Sequence, residues 1–370
     1  MQEVRSCAGE RGSKAQSGTR VNAGYAFAAA CLLIASIFTS GCAERVVAAA
    51  QSSTASSPSS PSAPSAPPAA PAALKVFSVV RSSDPASALD DSISSQCTAG
   101  ITLYFGWEKI EPQPGVFDFS GVISAINKAQ SGGKLVNLAI LPGMWSPQFV
   151  LNNPAIQQMT YTVQDPYTGT GAPYLASSPV PWDANYQASL IDMIQHLAKS
   201  LAGVQLNSIA VTGGSNVNGL EMLLVGTDAE LQTVGFSAEK YENAWEQDVD
   251  AYAAAFPNTP LTIAVHDQYG SQVRYDISQD VLKYSMQKYG NTIYPQSDAF
   301  TGQSWFNPSN AYADLVLGND INGRIGLQEL DMYANSSDEQ GFQQMVTQAN
   351  VYNPAWLEIW SADLEAYGCS

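Results

Sequence analysis

The chain has 370 residues, 45% of them hydrophobic and 13% charged, and a formal net charge of −17. That length holds one large domain or two small ones. The acid excess and the lack of a basic stripe argue against a nucleic-acid partner and favour a neutral or cationic ligand.

Residues 1–20 carry Arg5, Arg11, Lys14 and Arg20, and an apolar run from Ala23 to Phe38 leads into Thr39-Ser40-Gly41-Cys42. This is the layout of an export signal. Ser40-Gly41-Cys42 resembles a lipoprotein box in which Cys42 would take lipid, with Thr39 where such boxes usually carry leucine. Simple signal cleavage and a retained anchor are the alternatives, although the apolar run is short for a bilayer span. Without residues 1–42 the chain keeps 12 basic and 31 acidic residues, a balance of −19. The expected address is therefore outside the cytoplasm, in the envelope as a lipoprotein or secreted. Residues 43–73, nearly all Ala, Ser and Pro from Ala48 onward, are too poor in bulky apolar groups to form a core and read as a disordered tether. A domain over residues 74–370 follows. Cys97 and Cys369 then form either a disulfide or two buried free thiols.

From Leu74 onward, strand-like and helix-like patterns alternate. The strands expected from apolar and β-branched runs are residues 74–80, 100–105, 134–141, 208–212, 261–265, 298–302, 324–328 and 356–360. After the second, Val122, Ile123, Ile126 and Ala129 mark a helix that Ser131-Gly132-Gly133 ends. Before the fourth, Leu190, Ile191, Ile194, Leu197, Ala198 and Leu201 form one stripe. After it, Ser237 caps a helix with Tyr241, Trp245, Val249, Tyr252 and Phe256 on one face. About eight βα repeats in this length predict a (β/α)8 barrel, an α/β fold. A doubly wound sheet is the alternative, but no glycine-rich phosphate loop follows the first strand.

The second strand and its loop read Ile101-Thr102-Leu103-Tyr104-Phe105-Gly106-Trp107-Glu108-Lys109-Ile110-Glu111-Pro112, then Gly115-Val116-Phe117-Asp118-Phe119. This wording resembles TIM-barrel glycoside hydrolases of the retaining superfamily, clan A, closest to family-ten xylanases and more loosely to barrel β-galactosidases. The seventh strand, Gly326-Leu327-Gln328-Glu329-Leu330-Asp331, resembles the family's Thr-Glu-Leu-Asp strand end. The resemblance puts the nucleophile on Glu329 and the acid/base after the fourth strand, where Asn216 and Asn218 precede Glu221. Glu221 is the expected acid, with Asn216 or Asn218 bonding the sugar 2-OH. The rival readings are a strand-end ion pair for Glu329 and a loop salt bridge for Glu221, and Glu358 in the eighth strand is the main rival carboxylate. Ile359-Trp360-Ser361-Ala362-Asp363 resembles the family's Trp-Gly-x-x-Asp, and Asp298-Ala299-Phe300-Thr301-Gly302-Gln303-Ser304-Trp305-Phe306 resembles its Gly-x-Gln-x-His segment, with Trp305 where the histidine would be. The chain departs from the family at Leu103-Tyr104 and Gly106 on the second strand and at Pro142-Gly143 after the third. The family grips the sugar at those places.

The expected sugar contacts are Trp107, Trp145, Asn216, Asn218, His266, Gln303, Trp305, Glu358 and Trp360. Exposed aromatic faces stack on the C–H faces of sugar rings, and ordinary core packing is the competing reading for each ring. Residues 157–182, with Tyr161, Tyr167, Tyr174 and Trp182, read as a long loop on the strand-exit side. His196 is read as a helix-surface residue. No His or Cys spacing supports a metal, and no cofactor is expected. The functional expectation is a monomeric exported glycoside hydrolase with a carbohydrate substrate. A barrel that binds carbohydrate without cleaving it is the alternative.

Overall fold

The computed structural model describes residues 73–163, 173–215, 222–223, 226–330 and 332–368. The export signal, most of the tether, Cys42, Asn216, Asn218, Glu221 and Cys369 lie outside them.

Eight parallel strands form a closed barrel: β1 (Val76–Arg81), β2 (Thr98–Gly106), β3 (Leu135–Leu141), β4 (Ser208–Ala210), β5 (Leu261–Val265), β6 (Ile293–Phe300), β7 (Gly326–Glu329) and β8 (Trp356–Trp360). Each strand is followed by a helix: α1 (Ala86–Ser94), α2 (Ser120–Ser131), α3 (Ala184–Ser200), α4 (Ala238–Ala255), α5 (Asp276–Tyr289), α6 (Ala311–Leu317), α7 (Glu339–Tyr352) and α8 (Ser361–Tyr367). Neighbouring strands pair in sequence, and β1 closes on β8 with Phe77 opposite Glu358. The (β/α)8 expectation therefore holds.

The longer helices form where apolar residues recur every three or four positions, and in α3, α4, α6 and α7 a polar side chain caps the first turn. In α4 the buried positions are Tyr241, Ala244, Trp245, Asp248, Val249 and Tyr252, and Ser237 Oγ accepts from Lys240 N at 3.3 Å. Asp183 starts α3 by accepting from Asn185 N and Tyr186 N, each at 2.9 Å. Outward-facing strand residues such as Ile101, Leu138, Ile209 and Ile263 pack against these helices in the main core.

Two elements differ from the sequence expectation. β6 begins at Ile293, five residues before the expected start. Pro295 and the polar run Gln296-Ser297-Asp298 disguise it, because a proline and three polar residues do not read as a buried strand. Inside a barrel, however, polar side chains can serve each other across the lumen. The expected long loop after β3 instead holds an antiparallel hairpin, Gln158–Val163 paired with Tyr174–Pro179. Its alternating burial puts Met159, Tyr161 and Val163 inward.

The barrel lumen is layered. Near the strand starts, Trp356 lies 6.2 Å from Phe77 and 5.3 Å from Tyr294, ring centre to ring centre. Gly326 is required here, since a Cβ would lie 2.4 Å from Gln296 Oε1. Above these rings sits a polar layer of Thr102, Asn137, Gln296 and Glu358. Nearest the strand exits, Val79, Tyr104, Ala139, Leu141, Ala210, Ala264 and Trp360 form a separate apolar cluster, with Trp145 and Met332 packed on it. These layers fill the lumen, so any ligand is met at the exit mouth, the face that carries the loops.

Candidate active site at the strand exits

Glu329 is the last residue of β7 and is wholly buried. Its Oε2 accepts from the Trp360 backbone N–H at 2.9 Å, which ties the ends of β7 and β8 together above their last paired residues. The residue before it, Gln328, turns into the lumen, where its Oε1 accepts from the Tyr104 hydroxyl at 2.5 Å. Trp360 lies under the Arg81 guanidinium, 4.3 Å from its centre to the ring. The mouth thus joins β1, β2, β7 and β8 through one carboxylate, one cation and two aromatic rings.

Below the mouth, Glu358 is 2% exposed, and donors on three strands surround it. Thr102 Oγ1 donates to Oε1 at 2.6 Å, Asn137 Nδ2 to the same oxygen at 3.0 Å, and Gln296 Nε2 to Oε2 at 3.1 Å. Burial is the largest influence on its pKa and raises it, and the three hydrogen bonds pull it partly back. Glu358 was expected to touch substrate. The structure corrects this: the side chain is the hub of an internal network, with the Tyr104 and Trp360 layer between it and the mouth.

The same Gln296 amide donates to Asp298 Oδ1 at 2.9 Å, so one side chain bridges two carboxyl groups. Asp298 is the member of this network that stays partly accessible. Its surroundings push its pKa up to about 8, chiefly by burial and then by the charge of Glu358, with the Gln296 bond opposing. The carboxyl is therefore neutral at pH 7 and can act as a hydrogen donor. Sequence reasoning missed it. The period-two alternation of β6, which places Tyr294, Gln296 and Asp298 on one side and Ser297 against Tyr312 at 3.1 Å on the other, was the signal that could have found it.

The exit of β4 is shaped by close packing on α4. Gly213 has φ +104°, and a Cβ there would lie 2.4 Å from Asp248 Oδ2. A Cβ on Gly214 would lie 2.5 Å from Trp245. Tyr241 Oη donates to Gly214 O, and Thr212 Oγ1 lies 2.7 Å from Tyr252 Oη. These contacts fix the path of the chain as it leaves β4 towards Asn216, Asn218 and Glu221. Asp248 is wholly buried, and burial drives its pKa well up, only partly offset by Gln187 and the Gly214 backbone.

The remaining expected contacts divide into two groups. Trp107 is wholly buried, donating from Nε1 to Glu111 Oε2 at 2.7 Å while Glu111 Oε1 accepts from Gly115 N at 2.9 Å. It is a core residue that braces the loop after β2, and the expectation of a sugar platform there is corrected. His266 is likewise corrected: it is 2% exposed, 2.8 Å from Tyr241 Oη, and 5.6 Å from the Trp245 ring. Burial lowers its pKa to about 3, so the imidazole is neutral behind the barrel wall. Trp145 is half-buried on the mouth cluster, Trp305 is half-buried against Phe306 and Tyr312, and Gln303 is exposed. The indole N–H groups of Trp145 and Trp360 have no partner among the described residues. His196 is half-buried on the outer surface of α3 and stacks on Phe117 at 4.3 Å. Cys97 is disulfide-bonded.

No family model matches this chain. Nor does any curated protein. Solved structures do match. The catalytic domain of beta-amylase from Paenibacillus polymyxa superposes with a TM-score of 0.52 at 10% identity, covering 79% of this chain and 94% of that one. The GH10 xylanase from Bispora sp. MEY-1, solved with xylobiose, superposes with a TM-score of 0.50 at 12% identity, covering 78% of this chain and 83% of that one. The chain has the barrel fold of these glycosidases. At such identities the likeness concerns the barrel, and the chemistry must be argued from this chain's own mouth.

Proposed function

We propose that the chain is an exported glycoside hydrolase that cleaves O-glycosidic bonds with retention of configuration at the mouth of its (β/α)8 barrel. Glu329 is the nucleophile and Glu221 the acid/base. The observation that carries this reading is a carboxylate buried without exposure at the exit of β7, anchored by the Trp360 N–H. A carboxylate in such a place is costly unless it has a partner or a task, and glycosidases of this fold use that strand end. In the first step a Glu329 oxygen attacks the anomeric carbon while the Glu221 carboxylic acid gives its proton to the departing oxygen. In the second, Glu221 takes a proton from water, which attacks the same carbon and releases Glu329. The two carboxyl groups then belong about 5–5.5 Å apart. Trp145, Trp305, Trp360 and Gln303 supply the sugar-facing surface, with Asn216 or Asn218 on the 2-OH. Residues 1–42 direct export, with Cys42 as the lipid site, and residues 43–73 tether residues 74–370 as a monomeric catalytic domain.

A second reading, a barrel that holds glycan without cleaving it, is favoured by one feature. Gln328 and not Glu329 turns into the lumen to meet Tyr104. Reducing-sugar release from a panel of glycans and aryl glycosides separates the two. Hydrolysis that Glu329→Gln abolishes supports the first reading. Binding with no release by the wild-type chain supports the second.

A further inference from the structure

We propose that Asp298 is a substrate-binding carboxyl of the barrel mouth, giving its proton in a hydrogen bond to an uncharged sugar hydroxyl. The inference rests on the glycan reading of the mouth and adds a contact that reading does not contain. Its basis is the geometry of β6. Asp298 follows Gln296 on the lumen side of the strand, one step nearer the exit, and remains partly accessible where Gln296 and Glu358 are closed off. Only Gln296 bonds its side chain among the described residues, and it bonds one oxygen, Oδ1. The mouth nearby holds two indole N–H groups, on Trp145 and on the 8%-exposed Trp360, that have no partner among the described residues. A deep polar atom normally has a partner, so two unpartnered indole N–H groups at a mouth that also holds a half-buried carboxyl indicate an oxygen-rich guest.

The charged neighbours agree with this role. Glu358 lies beneath Asp298, the Tyr104 and Tyr312 hydroxyls flank it, Asp267 lies beyond at the β5 exit, and Arg81 is the cation of the mouth. Burial first, and then the charge of Glu358, hold Asp298 in its neutral, donating form to about pH 8. Seating a sugar over it removes its remaining water. That costs the ionised form more than the neutral one, so binding favours the neutral form. A neutral carboxyl can donate to an uncharged sugar as well as accept from it, and the donor is lost when the group ionises at alkaline pH.

The test is calorimetric binding of xylo-, cello- and malto-oligosaccharides to the full chain carrying Glu329→Gln, alone and combined with Asp298→Ala or Asp298→Asn, from pH 6 to 9.5. Asp298→Ala is expected to weaken the sugar that binds by about tenfold, the scale of one neutral hydrogen bond. Asp298→Asn, which keeps a donor, is expected to bind within about threefold of the parent. Affinity of the parent should fall as pH rises through about 8, and that of the Asn variant should not. If Asp298→Ala and the parent bind the same sugar equally, the Asp298 assignment is overturned while the glycan reading stands. If no oligosaccharide binds the parent, the glycan reading fails and the assignment goes with it.

Discussion

The Tyr104 hydroxyl donates to Gln328 Oε1 at 2.5 Å, a bond that spans the lumen from β2 to β7 just beneath the mouth. Tyr104 is buried, and burial followed by the charges of Glu358 and Asp298 raises its pKa well above the usual phenol value, so it stays a donor. Tyr104→Phe deletes the donor and leaves Gln328 Oε1 buried without it. The expected loss is ~1–3 kcal/mol in urea unfolding with an unchanged m value. An unchanged midpoint would show that the bond contributes nothing net.

Asp298 gives stability a definite pH dependence. Its ordinary pKa of 3.8 rises to about 8 in the folded chain, so between those values the folded state keeps a proton that the unfolded state has released. Its contribution is fullest below pH 4 and declines as pH rises to about 8. Glu358, also raised, acts in the same direction. The melting temperature of Asp298→Asn is therefore expected to fall less than that of the wild type between pH 5 and 9. Parallel curves would contradict the burial argument.

Gly213 cannot take a side chain where it stands. Its φ of +104° is rare for any L residue with a Cβ, and Asp248 Oδ2 occupies the space. Gly213→Ala is expected to cost ~1–3 kcal/mol and to disturb the segment that leads to Glu221. Asp248→Asn, which mimics the neutral carboxyl that burial enforces, should leave stability near the wild type. Thermal melts of the two variants check both statements.

Cys97 is disulfide-bonded and follows α1, against which α8 packs. The chain passes from α8 through Gly368 directly to Cys369, so non-reducing peptide mapping is expected to find Cys97 joined to Cys369. Cys97→Ser should then cost ~2–4 kcal/mol. A free Cys369 thiol in the native protein would contradict the pairing.

The barrel was legible because β5 and β8 are apolar or aromatic runs broken only by Thr262 and Glu358, and the α3 and α4 stripes keep helical spacing over several turns. β6 was misplaced because two of its inward side chains, Gln296 and Asp298, are polar and Pro295 interrupts the run, and period arguments assume an apolar interior. The seventh strand end, with Glu329, could be read from local wording. The lumen network could not, because Thr102, Asn137, Gln296 and Glu358 lie up to 256 positions apart and meet only when the barrel closes. Trp107 and His266 look like rim residues by position, but their orientation depends on Glu111, Tyr241 and Trp245, which periodicity does not reveal.

The most direct test of Glu329 as nucleophile is covalent trapping. A 2-deoxy-2-fluoro glycoside with an activated leaving group slows breakdown of a glycosyl-enzyme, and peptide mass spectrometry then locates the label. The prediction is one sugar on the peptide containing Glu329, formed by the wild type and absent from Glu329→Gln. Stable labelling of a different carboxyl, or turnover of the parent glycoside by Glu329→Gln at the wild-type rate, would contradict it.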